Sequence, residues 1–296
     1  MHRLHRFILA AVCLLMSGTL VHAQKIQDTL SKYTSENGQG YLQPMADAFG
    51  ADMNSGFFHH AKVKKAGLSI YAGMVTMTAF VAEDQKTFTA STEELFYPPA
   101  TAEAPTIFGK SESVAIEGVG GTAYLFPPGF DVKMVPVAVP QVSIGSLLGT
   151  EALLRYMDLD LGENWGQLQL FGWGVRHSIS QYLASLPFDL AVGFYQQNFE
   201  IGDIVEANTT LISAQASRTR GVLTLYGGLG HESSNLDIEY TAEGDPESEK
   251  ISFALEGQNS IRFTVGLGLN LGPVKLHADY NIANQNVLAI GIGAGF

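Results

Sequence analysis

From Ile261 to Phe296 the chain changes character at every second position. Ile261, Phe263, Val265, Leu267 and Leu269 alternate with Arg262, Thr264, Gly266, Gly268 and Asn270. Val274, Leu276, Ala278, Tyr280 and Ile282 then alternate with Lys275, His277, Asp279 and Asn281, and Leu288, Ile290, Ile292, Ala294 and Phe296 with Ala289, Gly291, Gly293 and Gly295. Successive side chains on an extended backbone point to opposite faces, so this period predicts strands with one apolar face and one polar or glycine-lined face. Gly272-Pro273 and Asn284-Gln285 interrupt the pattern where tight turns would fall. The stretch reads as three consecutive antiparallel strands of about 10 to 12 residues joined by hairpins.

Segments 67–81, 139–157, 166–179, 188–200, 205–217 and 222–240 extend the series. Between them, Pro98-Pro99, Pro105, Pro127-Pro128, Pro136 and Pro140 predict a region of loops, 98–140, with one or two short strands. One strand from that region brings the expected total to about ten, within a range of roughly 8 to 14. A different period appears over 41–53, where Leu42, Met45, Ala46, Phe49 and Met53 share one face of a helix and Pro44 suits its first turn.

Long hairpins with one apolar face have two closed solutions. A soluble sandwich or small barrel turns the apolar face inward; a membrane barrel turns it outward to lipid and keeps polar residues and glycine inside. Strands of soluble sheets average about 5 to 6 residues, whereas a tilted strand crossing a bilayer needs about 9 to 11. Turned inward, these apolar faces would leave a glycine-rich outer surface. The expected fold is therefore all-β, a transmembrane antiparallel β-barrel with a short N-terminal plug-like helix. Mean hydropathy is +0.11, yet beyond the N-terminus no apolar run reaches the ~18 residues a membrane-spanning helix needs, because alternation never builds a long run.

Arg3 and Arg6 precede an apolar stretch over 7–16, and Val21-His22-Ala23 offers small residues where a signal peptidase cuts. Residues 1–23 read as a secretory signal cleaved before Gln24, 24–66 as a polar segment with the amphipathic helix, and 67–296 as the barrel. Cys13, the only cysteine, would leave with the signal, which excludes disulfides and cysteine-ligated metal from the exported chain. With 17 Lys+Arg against 29 Asp+Glu the net charge is −12, and −14 without Arg3 and Arg6, so the chain lacks the cationic footprint that grips nucleic acid.

Several stretches carry a resemblance: Val139-Pro140-Gln141-Val142-Ser143-Ile144-Gly145, Gly149-Thr150-Glu151, Arg155-Tyr156, Gly172-Trp173-Gly174-Val175-Arg176-His177-Ser178-Ile179 and Leu186-Pro187-Phe188-Asp189-Leu190-Ala191. With Ala46-Asp47-Ala48-Phe49-Gly50, Asn54-Ser55-Gly56-Phe57 and Tyr226-Gly227-Gly228-Leu229-Gly230, they resemble a family of uncharacterised Gram-negative outer-membrane β-barrel proteins. The resemblance covers most of the exported chain and implies fold and location, not chemistry. More weakly, the C-terminal hairpins are similar to the long-chain fatty-acid and aromatic-hydrocarbon outer-membrane transporters.

Motifs for catalysis are few. The sequence holds no G-x-S-x-G and no H-E-x-x-H, and Gly118-Val119-Gly120-Gly121 lacks the lysine of a phosphate loop. His59-His60 reads as a solvated loop pair, Asp158 and Asp160 with Glu163 and Asn164 as an acidic turn rather than a calcium loop, and Asn208-Thr209-Thr210 as strand. His177, His231 and His277 are candidate bases, with Asp279 on the same face as His277, but a structural polar network inside the barrel is the preferred reading. No catalytic residue, metal or cofactor is expected.

The expected lumen lining is Arg262, Lys275, His277, Asp279, Gly291, Gly293 and Gly295. Barrels of about ten strands are nearly filled by their own side chains, yet this glycine strip fills nothing. The helix, through Leu42, Met45, Phe49 and Met53, or the following 54–58, is expected to lie against the strip as a plug; glycine serving only curvature is the open alternative. Tyr156, Trp165, Trp173, Tyr226, Tyr240 and Tyr280 are candidates for interfacial girdles. Phe296 is the expected signal to the outer-membrane assembly machinery, and outer-membrane lipid the expected surroundings. The functional expectation is passage or binding of a small, apolar molecule; the alternative is a closed structural or assembly-partner barrel whose 98–140 region contacts another envelope protein.

Overall fold

The computed structural model describes residues 35–92, 100–118, 122–160, 166–183, 186–202, 204–241 and 250–296. The expected signal segment, Glu163, Asn164, Trp165, the glycines at 120 and 121 and the side chain of Tyr240 lie outside the described residues. A helix, α1 (Ser35–Met53), precedes the sheet. Strand β1 (Ser69–Phe80) leads into an excursion bearing two small hairpins, β2 (Thr87–Ser91) with β3 (Thr101–Pro105) and β4 (Val114–Glu117) with β5 (Ala123–Phe126). Strands β6 (Met134–Leu147), β7 (Thr150–Asp160), β8 (Gln167–Ser178), β9 (Asp189–Ile201), β10 (Val205–Arg220) and β11 (Leu223–Thr241) follow. The chain closes with β12 (Lys250–Glu256), β13 (Ile261–Leu271), β14 (Val274–Ile282) and β15 (Val287–Gly295).

Antiparallel pairing runs β1, β6, β7, β8, β9, β10, β11, β13, β14, β15 and returns to β1, so the sheet closes on itself as a ten-stave barrel. One stave is broken. β13 pairs one half of β11 through His231↔Ile261, β12 pairs the other through Asn235↔Glu256, and 257–260 lie between them. The expected count of ten holds, but its composition differs. The 139–157 segment, read as one strand, is the hairpin of β6 and β7, turning at Leu148 and Gly149 with φ of 52° and 79°. The 98–140 region adds to the wall only the start of β6, because its short hairpins pair with themselves.

Hydrogen bonds between Ile70 and Phe296 bring β1 and the last residue to one rim, shared with the β6–β7, β10–β11 and β13–β14 turns. We call this the C-terminal rim and the opposite one, which bears the β2–β5 hairpins, the excursion rim. Between them the alternation sorts as the pattern requires. Leu154, Phe171, Val192, Ile212, Leu229, Val265, Leu267, Ile290 and Ile292 all stand exposed on the outer wall, while Arg155, Arg176, Gln197, Arg262, His277 and Asp279 are buried inside. Tyr156, Trp173 and Tyr280 face outward, but Tyr226 does not: it is 2% exposed and points into the lumen, in phase with Thr224 and Gly228 rather than with the outward Leu225.

The helix departs most from expectation. It starts at Ser35 rather than 41, so Pro44 sits in its interior and removes a backbone hydrogen bond that an isolated helix could ill spare. Nor is it one-sided. Leu42, Met53 and Ala48 are buried, and so are Asp47 and Asp52 on the polar side, because the helix runs inside the barrel and meets wall in every direction. Small residues permit this fit; at Gly50 a side chain would run into Ser234 of β11.

The outer wall generates a prediction. Replacing Ile290 by Arg should destabilise the folded protein by about 2 to 4 kcal/mol, the cost of a cation at mid-bilayer. Leu125→Arg, at an equally exposed leucine of the β4–β5 hairpin, should be tolerated. Urea titration of both variants in lipid vesicles checks this, and equal tolerance would count against a lipid-facing belt.

Candidate functional site

The lumen divides into two halves. Towards the excursion rim it is apolar: Tyr41, Leu42, Ala46 and Met53 of α1 pack with Val75, Met77, Val139, Phe199, Leu236, Phe253 and Val287 from the wall. Met45 and Phe49 join at the edge of this cluster, and Phe49 lies 4.5 Å from the ring of Phe199. Towards the C-terminal rim the wall is polar, and residues 54–61 thread through it.

An α-helix leaves its last four carbonyls without partners, and α1 has no basic residue in its last turn to meet them. Gly50 and Asp52 accept from the following amides of Asn54 and Ser55, and Ala51 from Ser55 Oγ; at Ala51 and Met53 the wall adds cations. Arg262 Nη2 donates to the Ala51 carbonyl at 2.8 Å and its Nη1 to that of Asn54 at 2.9 Å. Arg155, from β7, donates to the Met53 carbonyl at 3.3 Å and the Ser55 carbonyl at 2.7 Å, while its Nε bonds Gln141 at 2.8 Å. Gln197 also donates to the Met53 carbonyl. The same Arg155 guanidinium lies 4.0 Å over the ring of Phe57, which stacks on Tyr195. A third arginine, Arg176 from β8, donates to the His60 carbonyl.

Two of these three cations are balanced by carboxylates, while Arg155 is held by neutral oxygens alone. Glu232 pairs with Arg262 at 2.8 Å and Glu151 with Arg176 at 2.8 Å, both pairs buried. Asp52, in the helix's last turn, has its carboxyl held well above the ordinary carboxylate range by burial, with the Arg262 charge pulling the other way.

The sequence-derived lining residues fall as follows. Arg262, His277 and Asp279 are buried inside the wall, and Lys275 is half-buried near the C-terminal rim. His277 and Asp279 do not form a dyad: Asp279 accepts from Asn281 at 2.7 Å and Tyr226 at 2.9 Å, and His277 lies against Tyr71 and His59. Gly291, Gly293 and Gly295 also face inward, but Gly291 makes room for the ring of His277 and Gly293 for that of Tyr71, while Gly295 lies against the Ile70 carbonyl and the Tyr71 Cα and Cβ. Of the threaded segment, Gly56 lies beside that strand at Ala289, where a side chain at 56 would come within 3.4 Å of the alanine Cβ.

His59-His60 is not a solvated pair. His59 is 8% exposed and stacks on His277 with ring centroids 4.9 Å apart, and His60 Nδ1 lies 3.2 Å from Arg176. Burial and neighbouring positive charge hold His59 well below the usual histidine range and push His60 down to about 3. His177 bonds Thr150 and Gln181 at the C-terminal rim, and His231 is exposed outside. Asp158 is exposed on β7, and among the described residues no group of three or more His, Cys, Asp or Glu could hold a metal. Sequence reading missed Arg155, Arg176, Glu151 and Glu232, although each stands at the inward phase of its strand.

Fold and lumen define a closed ten-strand antiparallel barrel occupied by its own N-terminal segment. The chain belongs to a family of unknown function, DUF6588, whose model matches residues 1–296. No curated protein sequence matches. Solved structures it is similar to include a loop-deletion form of OmpT, an outer membrane protein of Vibrio cholerae, at 9% identity, 77% of this chain, 99% of that one and a TM-score of 0.28. Ail of Yersinia pestis follows at 14% identity, 77% and 97% coverage and 0.27. The Ralstonia pickettii toluene transporter TbuX matches at 6%, 77%, 88% and 0.27.

Truncating one member of a buried ion pair should cost more than removing both. Arg262→Leu is expected to destabilise the barrel by about 3 to 5 kcal/mol, because Glu232 is left charged and buried, and Arg262→Leu/Glu232→Leu should recover part of that loss. Thermal transitions of heat-modifiable gel mobility measure both, and a double variant no more stable than the single would contradict the pairing.

Proposed function

We propose that this chain is an outer-membrane barrel whose lumen is closed at rest by its own N-terminal segment and opens for a small molecule when that segment moves. A closed barrel with an apolar outer wall is one of the two structures able to cross a bilayer, since every wall hydrogen bond is satisfied internally. The signal-like residues 1–23 and the C-terminal aromatic Phe296, 74% exposed in phase with the outer wall, support export and insertion by the outer-membrane assembly machinery.

One observation carries the reading. The lumen is closed jointly by inward wall side chains and by a segment that joins the wall at Gly67 and packs among them, rather than by the wall's side chains alone. A barrel with only a structural role has no need of a removable filling, because larger inward side chains would close it more simply. The grip is also polar: arginine–carbonyl bonds can be exchanged for water as the segment leaves, at modest net cost per bond. An apolar molecule, the solute expected from the sequence, would take up the space among Met77, Phe199, Leu236 and Phe253 once α1 withdraws.

Planar-bilayer recording tests this. Wild-type protein should be closed most of the time, and Arg155→Ala/Arg262→Ala should raise the open fraction severalfold. Equally silent traces from both, given folded protein by gel mobility, would favour the closed structural or partner-binding barrel.

A further inference from the structure

At the C-terminal rim the threaded segment does not fill the barrel. A cavity of about 250 Å3 opens there beneath His59 and His60, room for roughly eight waters at ~30 Å3 each. Its charge runs against that of the whole chain. Lys62, Lys64 and Lys275 line it, from two elements, in a protein with 29 acidic against 17 basic residues. The one carboxylate side chain of the lining, Glu151, is already bonded to Arg176 at 2.8 Å. Among the described residues none of the three lysines has an ion pair within 4 Å, although Lys62 acts at longer range on Asp189; Lys275 Nζ donates at 2.8 Å to the Gly272 carbonyl, which leaves two of its three hydrogens. Phe296 also lines the cavity at the rim, where its main-chain carboxylate, one oxygen of which accepts from the Ile70 amide, is a second negative group beside the lysines.

A second feature points to a ligand rather than to solvated lysines. His59 lines the cavity while more than nine-tenths buried, and its ring makes stacking contacts but no hydrogen bond among the described residues. A buried imidazole normally finds a partner for its N–H. Here the open side of the ring is the cavity, whose lining also carries the hydroxyls of Ser69 and Thr224, each shared with a neighbouring hydroxyl, Ser146 and Thr219.

We infer that this cavity is a binding site for a small oxyanion of about two negative charges, of carboxylate, sulfate or phosphate type, held by Lys62, Lys64 and Lys275 with His59 as hydrogen-bond donor. Ammonium groups converging from the threaded segment and from β14 would both hold the anion and, through it, join segment to wall. Occupancy should therefore secure the closed state, so the site adds to the proposed gating without requiring that anything pass through.

The test uses the full-length folded protein in a non-ionic detergent with inorganic sulfate as probe. Titration calorimetry should detect binding that weakens steeply with added chloride, and Lys62→Gln/Lys64→Gln/Lys275→Gln should lower affinity by about tenfold or more. Lys110→Gln/Lys133→Gln, on the excursion side, should leave it unchanged. Competition separates two sources of the anion: displacement by soluble glycerol phosphate assigns a free solute, and displacement only by phosphatidic acid, a phosphomonoester lipid, in mixed micelles assigns a lipid headgroup. Absence of sulfate binding, or binding that the triple variant leaves intact while its gel mobility reports a folded barrel, overturns the site. Both readouts are made on the closed protein, so a silent bilayer recording and a failed titration remain separate results.

Discussion

A helix that ends halfway along a barrel exposes carbonyl groups where water is scarce, and the arrangement of this lumen answers that constraint. Arg155 and Arg262 reach the Ala51, Met53, Asn54 and Ser55 carbonyls from opposite sides. Each guanidinium offers several fixed donors, which lets one side chain serve two carbonyls at once, as a lysine could not do with the same geometry. Glu232 then balances Arg262, and Gln141 and Gln197 complete the hydrogen bonding of Arg155; Glu151 balances Arg176 further along the segment. The two-part lumen follows: apolar where α1 packs sideways, polar from the point where it stops.

Much of the wall is legible in the sequence because period two is a property of local backbone geometry. β13, β14 and β15 follow the alternation residue by residue. Where a turn carries no glycine-proline or asparagine flag beyond Leu148-Gly149, the 139–157 segment reads as one strand, since apolar and polar residues keep alternating on both sides of it. The helix was harder to read. Leu42, Met45, Phe49 and Met53 do form a stripe, but a stripe implies a wet opposite face, and burial of Asp47 and Asp52 depends on a surrounding wall that no local pattern announces.

The site was legible only in part, for a related reason. Phase alone marks Arg155, Arg176, Arg262 and Glu232 as inward, yet their partners are separated from them by tens to hundreds of residues, as with Arg262 and Ala51. Local spacing cannot pair them. The glycines illustrate the same limit: their inward direction is readable, but that Gly291 and Gly293 shelter the rings of His277 and Tyr71 is a matter of register across β14, β15 and β1.

If the N-terminal segment lies inside the barrel, a cross-link from it to the wall will form in the folded protein. The Ala61 amide donates to Ser217 Oγ of β10 at 2.8 Å, both residues buried. In Ala61→Cys/Ser217→Cys protein, folded and mildly oxidised, a disulfide should form in nearly every molecule, read by mass spectrometry of the bridged peptides. Free thiols at both positions in folded protein would contradict the account.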